Sequence, residues 1–223
     1  MSGPSADLLE FERELLERGE TVVGLDEVGR GALAGPLTVG AVVIRSIVVP
    51  PDGLTDSKLL TAQRRESLVE PLVRWAAAWS LGSASAIEID RWGLRLALAV
   101  AATRALEGLT VTPTHALIDG PFNLLSSPLS GPFGVTPLLR FQGLSATMIV
   151  GGDQRCATIA AASVLAKVHR DRFMVSLHEG HREYCWASNK GYAVPEHLEA
   201  IRRCGVSEHH RRTWHLPEVG NAA

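Results

Sequence analysis

Three short segments of the sequence carry carboxylates directly after apolar runs. These carboxylates belong to Asp26 and Glu27, to Asp119, and to Asp153. Side chains at strand ends of an α/β sheet project into the crevice where ligands bind. Oxygen ligands without histidine or thiolate suit hard cations, Mg²⁺ or Mn²⁺. The sequence therefore predicts a divalent-metal site, and two such ions about 4 Å apart can hydrolyse a phosphodiester.

Each acid taken singly has a simpler explanation, as a helix N-cap or a solvated turn residue. Asp153 precedes a predicted helix and could cap it. The Asp26-Glu27 pair is stronger evidence, because a charge directly after a buried strand needs a partner. Four carboxylates around one crevice would repel each other unless divalent cations neutralised them. The four carboxylates together are thus better evidence for a metal site than any one of them alone.

A glycine-rich turn follows the first acids. Gly29, Arg30 and Gly31 form a segment whose backbone N–H groups could approach a sugar or phosphate closely. Its glycine spacing is not that of a dinucleotide-binding motif. No P-loop, G-x-S-x-G or H-E-x-x-H motif occurs. The histidines at 209 and 210, in His-His-Arg-Arg, are more typical of a solvated basic turn than of a metal site.

The elements that must position these residues alternate irregularly along the chain. Predicted strands cover residues 21–25, 37–44, 77–86, 115–118 and 145–150, and predicted helices cover 8–18, 61–75, 89–107 and 156–177, with another helix between Pro195 and Gly205. This pattern predicts an α/β fold with a mixed sheet, helices beside it and a helical C-terminal layer. Residues 121–136, rich in proline and glycine, are predicted to be a surface insertion.

Composition indicates one soluble domain. The chain has 223 residues, 46% of them hydrophobic, and we expect a single catalytic domain with its core at about 20–215, an N-terminal helix in 1–19 and a tail at 216–223. The three cysteines form no C-x-x-C pair, which argues against disulfides or structural zinc. Without a bilayer-spanning run or signal peptide, we expect a cytoplasmic protein that does not contact membranes. A net charge of −2 is too weak to indicate a nucleic-acid partner.

Six segments, in order, resemble the motifs of type 2 ribonuclease H, or ribonuclease HII. They span residues 24–36, 56–59, 118–120, 152–171, 190–192 and 210–211, and the resemblance covers roughly residues 20–215. It implies a ribonuclease H-like fold and an endonuclease that cuts the RNA strand of RNA·DNA hybrids, leaving 3′-hydroxyl and 5′-phosphate ends. Such enzymes also nick at single ribonucleotides embedded in duplex DNA. Nothing suggests an obligate dimer, so we expect a monomer.

The resemblance also assigns roles to individual residues. Asp26, Glu27, Asp119 and Asp153 would bind the metals, Mn²⁺ or Mg²⁺. The backbone of Gly29, Arg30 and Gly31 would contact the 2′-hydroxyl side of the cleaved ribonucleotide, the group that distinguishes RNA from DNA. Tyr192 would pack on the following deoxyribose, and Ser57 and Lys58 would hold backbone phosphate. Without the resemblance, Tyr192 could equally be a packing residue, and Lys58 and Lys167 solvated charges.

Two other classes of function remain open at this point. One is a different metal-dependent nuclease or strand-transfer enzyme on the same fold, which a strictly DNA substrate would reveal. The other is a catalytically silent hybrid-binding protein, which a metal-dependent cleavage assay would distinguish. The link at 121–137 is longer than in many relatives. About 20 residues precede the first strand, which favours type 2 over type 3 enzymes with their additional N-terminal domain.

Overall fold

A mixed five-stranded sheet in the order β3-β2-β1-β4-β5 forms the centre of the computed structural model, which describes residues 8–125, 141 and 143–218. The strands are β1 (Val22–Val28), β2 (Leu37–Ile44), β3 (Ala78–Ala84), β4 (His115–Asp119) and β5 (Ser145–Ile149). β1 pairs antiparallel with β2 and parallel with β4. Leu25 lies opposite Ile118 in the parallel pair, so the next residues, Asp26 and Asp119, are neighbours across it.

Helices cover both faces of this sheet, which confirms the predicted α/β class. They are α1 (Glu10–Glu17), α2 (Ala62–Trp75), α3 (Ala86–Glu107), α4 (Ala157–Gly180), α5 (Trp186–Asn189) and α6 (Pro195–Cys204). Val23 and Leu25 pack in the core with α3, whereas Val22 packs in a second core with α4. This division follows from the two-residue period of strand side chains. A third apolar cluster holds α5 and α6 as the predicted C-terminal layer.

The first half of α4 lies directly against β1 and β2. A methyl group at Gly24 would lie 2.3 Å from the carbonyl carbon of Thr158, and one at Gly40 would lie 2.4 Å from the carbonyl oxygen of Ala162. Only glycine on the strands therefore allows this approach. The helix also has small side chains at this contact: residues 160 to 162 are buried and all are alanine. The close contact brings the side chain of Ser163 on α4 beside Asp26 on β1.

Several predicted boundaries are wrong. β1 does not end before the acids but continues to Val28, because the strand keeps its pairing with β2 as far as Thr38. Helix α3 begins earlier than predicted, at a capping box between Ser85 and Glu88, and is interrupted at Gly93, where φ is 77°. The insertion predicted at 121–136 lies mostly outside the described residues. Among the described helices, none is long and apolar enough to cross a membrane.

Candidate active site

The adjacent acids of β1 face opposite sides of the sheet. Asp26 points toward α4, is 4% exposed, and hydrogen-bonds with the Ser163 side chain. Its Oδ1 also accepts the backbone N–H of Glu27 at 2.8 Å. Glu27 points the other way, into a cleft of about 500 Å³ that Asp119 also lines. The end of β1 thus places one carboxylate on each face of the sheet.

Asp119 and Asp153 join this position from β4 and from the turn after β5. Asp119 Oδ1 accepts the backbone N–H of Gly152 at 2.8 Å, which draws the turn of Asp153 toward β4. Asp153 lies in a short 3₁₀ turn, Gly152–Gln154, and is 3% exposed. It does not cap α4, whose N-cap residue is Cys156 and has no side-chain cap. The alternative of a helix cap at Asp153 is therefore wrong.

The N-terminal helix α1 does the capping of α4 instead. Glu12 is fully buried, and its Oε1 accepts both the backbone N–H and the hydroxyl of Thr158, each at 2.8 Å. The backbone N–H of Ala157 donates to the carbonyl of Leu8 at 2.7 Å. Donors at the first turn of a helix need such partners. Because Glu12 and the Leu8 carbonyl supply them, the carboxylate of Asp153 is left for the acid cluster.

The electrostatics of the cluster favour a bound cation. Burial, with repulsion from Glu27 and Asp119, raises the pKa of Asp26 to about 8. Burial also raises the pKa of Glu27, and burial followed by repulsion from Asp56 raises the pKa of Asp153. Carboxylates this crowded ionise readily only beside positive charge. The donors are all carboxylate oxygens, so the cluster fits hard divalent cations.

One lysine already supplies positive charge at the cluster. Lys58 Nζ lies 3.3 Å from Asp153 Oδ2 and 3.9 Å from Asp56 Oδ1, while its side chain stays 74% exposed. Attraction to both acids outweighs the opposing effect of burial and raises the pKa of Lys58. Asp56 is a buried acid beside the site; it opens the resembling segment 56–59, but no role was predicted for it from the sequence. Ser57 points inward, and its hydroxyl bonds Ser163 Oγ at 2.8 Å.

Two buried arginines hold the loop that contains Gly29 and Gly31. Arg211 donates to the carbonyl oxygens of Gly29 at 2.6 Å and Arg30 at 2.8 Å. Arg170 donates to those of Ala34 at 3.0 Å and of Pro36 at 2.8 Å. Both guanidiniums are 0% exposed, and burial lowers the pKa of Arg211 to about 9.

The prediction of a solvated His-His-Arg-Arg turn is therefore wrong for His210 and Arg211, which are buried. The signal that would have corrected it is the position of these two residues in the last of the resembling segments. The carbonyls of the loop point at the guanidiniums. In the described part of the chain, the hydrogen bonds include no acceptor for the backbone N–H groups of Arg30 and Gly31.

The segment around Tyr192 docks on the same loop. The carbonyl oxygen of Gly191 accepts the backbone N–H groups of Leu33 at 2.8 Å and Ala34 at 3.2 Å. The Tyr192 ring lies 5.3 Å from the guanidinium carbon of Arg170 and 5.9 Å from Lys167 Nζ. Lys167 is not a solvated charge, since its side chain is 19% exposed and pairs with Asp171 at 2.6 Å. Tyr192 thus lies beside Arg170, the guanidinium that also holds the loop at Ala34 and Pro36.

The sheet order, the helical layers and the acid cluster between β1 and β4 define a ribonuclease H-like α/β enzyme. The chain belongs to the ribonuclease HII family, whose model, described as Ribonuclease HII, matches residues 23–216. It is a ribonuclease H, an endonuclease that hydrolyses the RNA strand of RNA–DNA hybrids.

Named relatives and a solved structure agree with this family. A ribonuclease HII of Streptomyces avermitilis is 43% identical over 195 residues, covering 87% of this chain and 77% of that protein. A ribonuclease HII of Jannaschia sp. is 45% identical over 205 residues, covering 92% and 93%. The crystal structure of the ribonuclease H2 from Pyrococcus horikoshii has a TM-score of 0.66 and 27% identity, covering 87% of this chain and 94% of that one.

Proposed function

We propose that this enzyme also nicks duplex DNA at single embedded ribonucleotides, leaving 3′-hydroxyl and 5′-phosphate ends. The observation that carries the proposal is the position of the Gly29–Gly31 turn, which directly follows the acids of β1 and is fixed from behind by Arg211. A backbone turn beside the scissile bond reads one 2′-hydroxyl without reading base sequence. One ribonucleotide is then sufficient for recognition.

Four carboxylates are proposed as the metal ligands of this reaction: Asp26, Glu27, Asp119 and Asp153. Two bound Mg²⁺ or Mn²⁺ ions would supply an activated water and stabilise the leaving oxygen of the phosphodiester. Support comes from the donor set, which is all carboxylate and unfavourable without cations. The residues of the chain orient these ligands: Ser163 holds Asp26, and the Gly152 N–H holds Asp119.

Substrate selection is assigned to the loop and to Tyr192. The backbone N–H groups of Arg30 and Gly31, which have no acceptor among the described residues, would donate to oxygens of the ribonucleotide. Tyr192, beside the same loop, would pack on the next sugar and reject a ribose there for lack of room. The cation–π contact with Arg170 keeps the ring in place.

Phosphate binding falls mainly to Lys58. Its side chain is 74% exposed and reaches the rim of the acid cluster, so it can move from Asp153 to a phosphate oxygen. The Ser57 hydroxyl faces Ser163, so Ser57 would support the site from within or rotate to reach phosphate. The proposed unit is a monomeric single domain, residues 1–223 with the core at about 20–215, that acts in the cytoplasm, consistent with its unpaired cysteines.

The test is cleavage of a duplex with one ribonucleotide, assayed with Mg²⁺, with Mn²⁺ and with chelator. Asp26→Asn should lower the cleavage rate by at least a hundredfold while binding of the duplex persists. Asp52→Asn is the matched control, because the Asp52 side chain is exposed in a turn outside the cluster. A variant that cut at the wild-type rate would contradict the metal assignment, and exclusive cleavage of all-DNA duplex would favour a DNA nuclease on this fold.

A further inference from the structure

A second group of metal-ligating side chains lies in the C-terminal layer, apart from the acid cluster. His181, Glu208 and His209 each offer one ligand atom, and these atoms lie within 4.8 Å of one another. We propose that these three residues bind a divalent transition-metal ion, with Zn²⁺ as the expected ion. Two imidazoles and one carboxylate are a donor set that suits Zn²⁺ and not Mg²⁺.

Tertiary structure, and not sequence spacing, brings these ligands together. His181 is the residue immediately after α4, whereas Glu208 and His209 belong to the segment that follows α6. Both imidazoles pack near the fully buried ring of Trp186, with centroid separations of 5.3 Å for His181 and 5.9 Å for His209. The two imidazole centroids lie 5.2 Å apart in an edge-on arrangement. Packing thus orients both rings before any ion binds.

A further carboxylate stands behind the first histidine. Glu183 Oε1 lies 3.6 Å from His181 Nδ1. Metal-bound histidines commonly donate their second ring N–H to a carboxylate, which fixes the tautomer and increases ligand basicity. Glu183 is therefore positioned to accept the Nδ1–H of a His181 that binds an ion through its other ring nitrogen, once the pair closes from 3.6 Å to hydrogen-bond distance.

The cluster closes around an ion with small movements. Zn²⁺ bonds of about 2.0–2.2 Å require ligand atoms roughly 3.4 Å apart in a tetrahedral site. Glu208 is exposed, so its side chain is free to rotate toward the two rings. Water would complete the coordination on the solvent side. The ligand atoms, which now lie within 4.8 Å of one another, therefore have to approach by at most about 1.4 Å to bind an ion.

An ion here would fasten the segment that supports the active-site loop. The carbonyl oxygen of His209 accepts the backbone N–H of Gly35 at 2.9 Å, and His210 forms a β-bridge with Ala34. Arg211, which holds Gly29, follows directly. A metal that joined His209 to the end of α4 would restrain this segment against local opening. We expect thermal stabilisation, with no requirement for this ion in cleavage.

The experiment titrates Co²⁺, as a visible probe, into untagged protein in millimolar Mg²⁺, which is added to fill the metal site proposed at the carboxylate cluster. The expected result is one further Co²⁺ per chain, displaced by Zn²⁺, and a rise in melting temperature with Zn²⁺. His181→Leu and His209→Leu should each abolish the added Co²⁺ and the rise. His169→Leu is the matched control, since His169 is exposed on α4 outside the cluster.

Two further measurements keep the test decisive. Glu208→Gln changes only an exposed side chain, so it should fold normally and weaken Co²⁺ binding by tenfold or more. Asp26→Asn should bind the added Co²⁺ as wild type does. The proposal is overturned if wild type binds no Co²⁺ in Mg²⁺, if the histidine variants and Glu208→Gln bind it equally well, or if Asp26→Asn alone removes it.

Discussion

Arg211 Nη2 lies 2.6 Å from the carbonyl oxygen of Gly29, although 182 residues separate the two in the sequence. The same guanidinium donates to the carbonyl oxygens of Arg30 and Gly35. One buried side chain therefore hydrogen-bonds to three residues of the loop. Its positive charge is compensated by carbonyl dipoles and by the Trp214 ring at 4.8 Å. The conformation of the loop beside the acids therefore depends on Arg211, a residue near the C-terminal end of the sequence.

Arg211→Lys should lower kcat/KM on a single-ribonucleotide duplex by about tenfold to a hundredfold. A lysine cannot reproduce the planar fork of donors, and hydrogen bonds to charged groups contribute about 1.5–3 kcal/mol. Steady-state rates would be measured well below the melting temperature of the variant. Arg212→Lys is the control, because Arg212 bonds Asp90 only through its backbone. Equal rates for the two variants would remove Arg211 from the positioning of the loop.

Tyr192→Ala should impair cleavage at a single embedded ribonucleotide more than cleavage of an all-RNA strand. Without the ring, the surface beside Arg170 and Lys167 loses the face that would test the following sugar. The measurement is the ratio of the two cleavage rates, in wild type and variant. Tyr192→Phe keeps the ring and should keep the ratio. Equal losses on both substrates would argue against discrimination by Tyr192.

Without metal, the free energy of unfolding should fall as pH rises from about 4 to about 8. Burial raises the pKa of Asp26 from 3.8 to about 8, so within this window the folded protein holds a proton that the unfolded chain has released. Asp26→Asn removes this ionisation and should be more stable than wild type at pH 8 by more than about 1 kcal/mol, since one pKa unit corresponds to about 1.4 kcal/mol. Urea unfolding in chelator at both pH limits measures the effect.

Added metal provides a control for the predicted effect of Asp26 on stability. Added Mg²⁺ should stabilise wild type at pH 8 more than it stabilises Asp26→Asn, because the ion pairs with the carboxylate that the variant lacks. Identical pH profiles for both proteins in chelator would show that Asp26 is not the group whose proton is retained.

Glu12→Ala should lower the free energy of unfolding by about 1–3 kcal/mol, the cost of leaving a buried donor unsatisfied. The variant loses the acceptor of both Thr158 donors at the start of α4. Glu14→Ala is the control, since the Glu14 side chain is 67% exposed on the same helix. Equilibrium unfolding in urea would compare the two. Equal stabilities would show that α1 contributes no cap to α4.

Local signals in the sequence were sufficient for many elements of the fold. β2 matches its predicted range of 37–44, and Thr61 caps α2 as expected, because β-branched runs and capping residues act over a few positions. The end of β1 was missed because it depends on pairing with β2 across the sheet. The break at Gly93 was missed too, since an isolated glycine inside a helical pattern is usually tolerated.

The sequence by itself determined the family, the α/β class and the identity of the four acids proposed as ligands. Only the tertiary structure decided how they are held: Asp26 on the α4 face, Glu27 in the cleft, and Asp153 released from capping by Glu12. It also decided that Arg211 is buried behind the loop. Residue types and spacings indicate chemistry and local propensity. Burial and the choice of partners depend on contacts between distant segments, 146 positions apart for Glu12 and Thr158 and 182 for Gly29 and Arg211.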